Sequence, residues 1–480
     1  MPTDTTTRAY DVIVIGAGPV GENVADRTTA AGLSTVLVES ELAGGECSYW
    51  ACEPSKALLR PALLRADAVH MPGLDPAVGN ALDAKAVLAH RDRMAGDWKD
   101  DGQVEWIASA GIDFLRGHAR LAGEREVTVE GPDGGTVRLR ARHAVAVCTG
   151  SGPALPRLPG IEALRPWTNR EATSAQQVPR RLAIVGAGVV GVEMATAWQA
   201  LGSQVTLLAR GERVLPRMER FAGELVTERL REAGAVVRFG VEVAAAERTP
   251  GGEVAITLSD GGELLADEIL FATGRAPRSV DIGLDTVGLI PGDWLAADDT
   301  LTVAAVPGEW LYAVGDVNGR ALYTHQGKYQ ARIAGAVIAA RARGEQPAPG
   351  RWSPHRSTAD HEAVPGVVFT DPEVASVGLT SDEALRTGRV VEVVDHDLGQ
   401  LAGAHQYRPG YQGRARILLD PERQVVVGAT FAGPGVAELL YSATVAIAGE
   451  VPVERLWHAV PAFPTISEVW LRLLETRSQS

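Results

Sequence analysis

Two of the three cysteines in this 480-residue chain, Cys47 and Cys52, stand with four residues between them in the stretch Gly44-Gly45-Glu46-Cys47-Ser48-Tyr49-Trp50-Ala51-Cys52-Glu53-Pro54-Ser55-Lys56. Such a pair can carry two electrons as a disulfide, ligate a metal, or lie apart as two buried hydrophobes. Metal is the weaker option, because no histidine or further cysteine lies near either thiol in sequence; no metal site is expected. The glycine pair lets the backbone approach something large, since neither residue carries a Cβ. Pro54 suits the first turn of a helix running through Ser55 to Arg60. The positive end of that helix would face Cys52 and favour its thiolate. What turns the pair towards redox chemistry is the segment just upstream.

An apolar run from Tyr10 to Ile15 ends in Gly16-Ala17-Gly18-Pro19-Val20-Gly21. A helical stretch follows to Gly32, then a β-rich run from Ser34 to Val38 that ends at Glu39. This is GxGxxG between strand and helix, with an acid about 20 positions on, the arrangement that binds a dinucleotide. Gly16 and Gly18 let the backbone turn under a pyrophosphate, the helix N-terminus supplies partial positive charge, and Glu39 can accept ribose hydroxyls. The pattern returns at Leu182 to Val185 and Gly186-Ala187-Gly188-Val189-Val190-Gly191, where Gly202 ends the helix as Gly32 ends the first. Two such folds imply two dinucleotides, in a hydride-transfer enzyme a flavin and a nicotinamide. Ala209 stands in the second copy where Glu39 stands in the first, with Arg210 next to it. Loss of the acid beside an arginine favours a ribose 2′-phosphate, so the second site is expected to prefer NADPH. Arg213 and Arg217 lie close enough in sequence to assist.

Between the copies, Leu64 to Leu121 reads as mainly helical with a break at Pro72-Gly73, followed by strands with turns at Gly131-Pro132 and Gly134-Gly135. Together these segments resemble the FAD-dependent pyridine nucleotide-disulfide oxidoreductases, the family of glutathione reductase, lipoamide dehydrogenase and mercuric reductase. Val145-Ala146-Val147-Cys148-Thr149-Gly150-Ser151 matches the family's ATGS segment, with Cys148 as a buried small hydrophobe where alanine is usual. Phe271-Ala272-Thr273-Gly274-Arg275 resembles its return crossing, and Leu311 to Asp316 its second flavin motif, in which the aspartate holds the ribityl chain. Val364 to Glu373 and the helices from Gly435 resemble its dimerisation domain.

The resemblance implies an α/β fold: two Rossmann-like dinucleotide-binding domains, for FAD and NAD(P)H, plus a C-terminal α+β dimerisation domain. The expected division is 1–155 and 275–350 for the FAD part, 156–274 for the nicotinamide part and 351–480 for dimerisation. It also implies roles. Cys52 would be the thiolate nearest the flavin and Cys47 the outer thiol that meets substrate. Lys56 matches a lysine beside the flavin, and Glu193 matches its ion-pair partner. Gly45, Thr149, Gly150 and Gly274 fall in cofactor-contacting segments. The chain would be a homodimer whose active site is shared between subunits.

The pattern fails at the C-terminus. Family members end in a stretch like HPTxxE, where the histidine protonates the leaving thiolate and the glutamate orients it. Here the stretch is Phe463-Pro464-Thr465-Ile466-Ser467-Glu468, and phenylalanine carries no proton. His458, five positions earlier, either substitutes for the family histidine or is an ordinary surface or capping histidine, the commoner case. No cysteine follows Cys148, so the additional C-terminal pair of mercuric reductases is missing. Tyr49 and Trp50 separate the cysteines where smaller residues are usual, which predicts a more aromatic substrate pocket. The reading is an NADPH-dependent flavoprotein passing electrons through Cys47 and Cys52 to a specialised sulfur, disulfide or metal acceptor. A direct flavin-to-quinone reductase with accessory cysteines and a redox-responsive binding protein are the alternatives.

Composition sets the outer bounds. A net charge of −14 argues against nucleic acid and anionic membrane as partners. No apolar run approaches the ~18 residues of a membrane span, and the polar arm Met1 to Ala9 lacks the apolar core of a signal peptide. A reducing, cytoplasmic compartment is therefore expected, in which a close cysteine pair reads as chemistry rather than a staple.

Overall fold

The computed structural model describes residues 7–74, 78 and 81–479. The chain falls into two compact units, each drawing on three stretches of sequence.

The first unit comprises Met1–Glu53, Ala95–Pro153 and Arg275–His361. Its parallel strands run in the order Asp113–Arg116, Thr35–Glu39, Thr7–Ile15, Thr136–Val147, with Leu311–Ala313 pairing parallel to the end of Thr136–Val147. Successive residues of a strand face opposite ways. Accordingly, Val12 and Val14 pack with Val24, Ala331 and Val337 on one face, while Ile13 and Ile15 pack with Leu121, Val127 and Trp310 on the other. Both faces are covered, which explains why the strand reads as a continuous apolar run. Helices Pro19–Ala30 and Thr324–Ala342 pack together on the first face. The expected helical stretch overruns here. Strands begin already at Asp113, followed by His118–Gly123 and Glu126–Glu130, because β-pairing to Glu39 and Thr136 captures them.

The second unit comprises Pro54–Met94, Ala154–Gly274 and Glu362–Ser480. A parallel sheet runs Val236–Phe239, Gln204–Ala209, Arg181–Val185, Glu268–Phe271, beside the antiparallel meander Val243–Arg248, Val254–Leu258, Glu263–Ala266. The C-terminal part is a five-stranded antiparallel sheet with helices Leu440–Ala448 and Val469–Gln479. One core joins Leu58 and Leu59 of the helix Cys52–Ala68, Leu182 and Ile184, the buried Trp198, and Val368 and Val374 of the C-terminal sheet. That helix starts two residues before Pro54 and continues through Pro61 to Ala68, further than its sequence indicates. Among the described residues, no helix is long and apolar enough to cross a membrane.

Candidate active site

In the first unit, strand Thr7–Ile15 delivers Gly16, whose φ of +101° only a residue without a Cβ holds at ease. A Cβ on Gly16 would stand 2.6 Å from the Cys148 carbonyl, and one on Gly21 would stand 1.8 Å from the Gly16 carbonyl. Gly18, the residue capping helix Pro19–Ala30, faces open space instead. Backbone, helix start and Cys148 loop thus close behind the turn and leave its front free. Glu39 is held in place there: its Oε2 accepts from Ala17 N (2.7 Å) and its Oε1 from Glu41 N (2.8 Å).

The second unit repeats this geometry. Gly186 N donates to Leu208 O at 2.9 Å as Gly16 N donates to Val38 O at 2.8 Å, so Ala209 is the structural counterpart of Glu39. Gly186 has φ +109° and would clash with the Ala272 carbonyl, Gly191 would clash with Gly186, and Gly188 faces open space. Arg210 follows at the strand end, with its side chain 85 % exposed and its Nε 3.6 Å from Glu242. Arg213 is committed elsewhere, donating to Asp382 and to the Pro216 carbonyl. Gly274 has φ +149° and follows Ala272, whose carbonyl closes behind Gly186, by two residues.

The cysteine stretch belongs to the first unit up to Glu53. Gly44 and Gly45 have φ of +107° and +57°, and a Cβ on Gly45 would stand 2.9 Å from Gly18 Cα. That close approach lays the cysteine stretch against the nucleotide turn. Cys47 and Cys52 are not joined by a disulfide and share a hydrogen bond, and Cys52 Sγ lies 3.3 Å from Thr324 Oγ1. The bond with Cys52, then burial, push the Cys47 thiol upward. Thr324 opens the helix Thr324–Ala342 and Cys52 opens Cys52–Ala68, which places both at helix ends of partial positive charge. Arg278 pairs with Glu46, next to Cys47. Tyr49 does not line a pocket. It is buried, donating to the carbonyls of Ala43 (2.9 Å) and Lys99 (3.3 Å), and packs edge-on against Trp50.

Asp316 is half-buried, with Ser151 Oγ donating to it at 2.6 Å and Arg275 3.8 Å away. Burial raises its carboxyl, and Ser151 and Arg275 pull it back. Thr149 Oγ1 is buried without a hydrogen-bond partner among the described residues, and Gly150 (φ +72°) faces open space. These are the features a dinucleotide would satisfy, and the donor set fits one.

In the second unit Lys56 Nζ donates to Glu193 Oε2 at 2.8 Å and lies 5.1 Å from the centre of the Phe369 ring. The other oxygen of the buried Glu193 accepts from Phe369 N at 3.0 Å. At the C-terminus, Phe463 is 74 % exposed and Val460 84 %, with His458 exposed beside them. Glu468 is only 6 % exposed: Arg472 donates to its Oε1 at 2.6 Å, while its Oε2 is buried without a partner among the described residues. Thr324, Ser151 and Arg275 were not assigned roles from sequence; Thr324 is 272 positions from the cysteine it touches. Among the described residues no group of three or more His, Cys, Asp or Glu could hold a metal ion.

Two dinucleotide cradles and a thiol pair set against the first define a two-nucleotide redox enzyme of α/β build. Residues 10–342 match the pyridine nucleotide-disulphide oxidoreductase family, and 364–473 match the dimerisation domain of that family. Dihydrolipoyl dehydrogenase 3 of Pseudomonas aeruginosa is 33 % identical over 471 residues, 96 % of each chain. The dihydrolipoyl dehydrogenase of Thermus scotoductus is 32 % identical over 474 residues, again 96 % of each. The fold is shared with the HOCl-induced flavoprotein disulfide reductase RclA from Escherichia coli in its Cu(II) complex (TM-score 0.82, 22 % identity, 98 % of this chain and 99 % of that one). It is shared equally with LpdA from Mycobacterium tuberculosis (TM-score 0.81, 24 % identity, 97 % and 99 %). The chain belongs to the pyridine nucleotide-disulphide oxidoreductase family. It is an oxidoreductase of a family that uses FAD and NAD(P)H in electron transfer between NAD(P)H and disulfides.

Proposed function

We propose that this chain is an NADPH-dependent flavoprotein reductase whose electrons leave through Cys47 and Cys52 to a specialised sulfur, disulfide or metal acceptor. The observation that carries the reading is the Cys47–Cys52 contact, anchored on Thr324 in the same unit as the first cradle. Gly16, Gly18, Gly21, Glu39, Gly45, Thr149, Gly150 and Asp316 are assigned to FAD, and Gly186, Gly188, Gly191, Arg210 and Gly274 to NADPH. When bound, these cofactors would supply a hydride equivalent, an electron pair and a proton, which turns the Cys47–Cys52 disulfide into one thiol and one thiolate.

Cys52 is assigned the thiolate, because the Thr324 hydroxyl and the helix starts favour negative charge there. Cys47 is then the thiol, and it meets the acceptor. Lys56, fixed by Glu193 and Phe369, holds the positive charge assigned to the flavin's reactive edge. Disulfide exchange needs the Cys47 proton removed and the leaving thiolate protonated, a task worth ~10²–10⁴-fold in rate. Phe463 can do neither, and the Glu468 oxygen left without a partner supports the loss of an imidazole from this segment. The acceptor is therefore one that needs no proton from position 463 or brings its own.

A homodimer with a shared pocket is part of the reading. It is supported by the dimerisation-domain match and by the exposed apolar ridge of Val460 and Phe463. The division at 155, 274 and 350 and a reducing, cytoplasmic setting are likewise part of the reading. The double variant Cys47→Ser, Cys52→Ser tests the reading: it should lose NADPH-driven acceptor reduction. Full turnover by the variant would favour the competing flavin-to-quinone route, which the protonated state of Cys47 and the missing imidazole both suit.

A further inference from the structure

The helix of the first cradle carries a carboxyl that the proposed chemistry does not use. Glu22 is only 9 % exposed, and its Oε1 is buried without a hydrogen-bond partner among the described residues. Its backbone N–H donates to Gly18 O, one turn from the open N-terminus. The carboxyl acts electrostatically on Glu39, whose Oε2 is held by Ala17 N within the turn that receives the dinucleotide pyrophosphate, which places it near that turn. Among the described residues, the charged and titratable groups that act on it are Lys328 from helix Thr324–Ala342, Glu39 from the end of the second strand and Tyr49 from the cysteine stretch. Burial holds the Tyr49 proton in place.

We propose that Glu22 binds a proton as the dinucleotide site fills, so that the grip on FAD is coupled to the protonation of this one residue. The proposal rests on the assignment of FAD to the first unit. Burial first, with Glu39 adding and Lys328 opposing, pushes the Glu22 carboxyl up to about 7. The pyrophosphate adds negative charge nearby, which disfavours the ionised form further. The FAD-loaded protein then holds more protons at Glu22 than the FAD-free protein, so affinity falls as pH rises through about 7, by at most about tenfold per unit for one proton.

The test is equilibrium release of FAD from the full-length holoenzyme, followed by the fluorescence of freed flavin across about pH 6 to 9. The wild-type dissociation constant should rise about fivefold or more across that range, and that of Glu22→Gln by less than about twofold. Lys328→Met, which removes the opposing cation, should move the wild-type transition to higher pH. A flat wild-type profile, an equally steep Glu22→Gln profile, or an unmoved transition in Lys328→Met would overturn the proposal. Protein that binds no flavin at any pH would instead remove the FAD assignment beneath it.

Discussion

Lys56 Nζ and Glu193 Oε2 lie 2.8 Å apart although 137 positions separate them in sequence. The carboxylate is buried and holds Phe369 N with its other oxygen, so the pair ties the helix after the cysteines to the second nucleotide helix and the C-terminal sheet. Lys56→Met should leave Glu193 buried with one partner fewer, at a cost of about 1–3 kcal/mol. Denaturant unfolding measures it; an unchanged midpoint would show that the pair is not a structural tie.

Arg210 is expected to select the nicotinamide cofactor. Ala209 occupies the place of Glu39, and Arg210 extends into solvent beside it. NADPH should give the higher kcat/KM, and Arg210→Ala should erase most of that preference, a charge-assisted contact being worth about 1.5–3 kcal/mol. Ala209→Glu should move the preference towards NADH. Wild type that favours NADH would refute this assignment.

Phe463 should make ordinary disulfides poor substrates. Glutathione disulfide and lipoamide are expected to turn over slowly, although the relatives at about one-third identity are dihydrolipoyl dehydrogenases. Phe463→His should raise disulfide reduction about tenfold or more, with the free Glu468 oxygen available to orient the ring. Fast glutathione disulfide turnover by wild type would show that another residue supplies the proton, with His458 the first to replace.

Thr324→Val should weaken the Cys52 thiolate. Loss of one hydroxyl contact at 3.3 Å removes about 0.5–1.5 kcal/mol of stabilisation, raising the thiolate's titration midpoint by up to about one unit. A pH titration of thiolate absorbance measures this, and an unchanged midpoint contradicts it.

Much of this architecture is legible in sequence because it depends on local backbone demands. Gly16, Gly21, Gly186 and Gly191 sit where a Cβ would strike a carbonyl, and that requirement stamps the same spacing on both copies. Glu39 and Ala209 can be equated by counting, because each follows its glycine turn through a parallel strand of fixed register. Thr324 was invisible for the opposite reason: a helix-start threonine is commonplace, and its contact with Cys52 exists only once distant strands have paired. Tyr49 misled, since an aromatic between two cysteines suggests a pocket wall, whereas its hydroxyl is used to hold Ala43 and Lys99. The overrun of helix into Asp113–Arg116 reflects tertiary capture of a short segment by the neighbouring strand Thr35–Glu39.

The central claim is that electrons reach a Cys47–Cys52 couple in which Cys52 carries the negative charge. Anaerobic reduction of the flavin-loaded protein with one equivalent of NADPH, recorded as an absorbance spectrum, tests it most directly. Wild type should develop a long-wavelength band and gain two titratable thiols, and Cys52→Ser should lose the band while Cys47→Ser keeps it. Bleached flavin with no band and no new thiols in wild type would contradict the account.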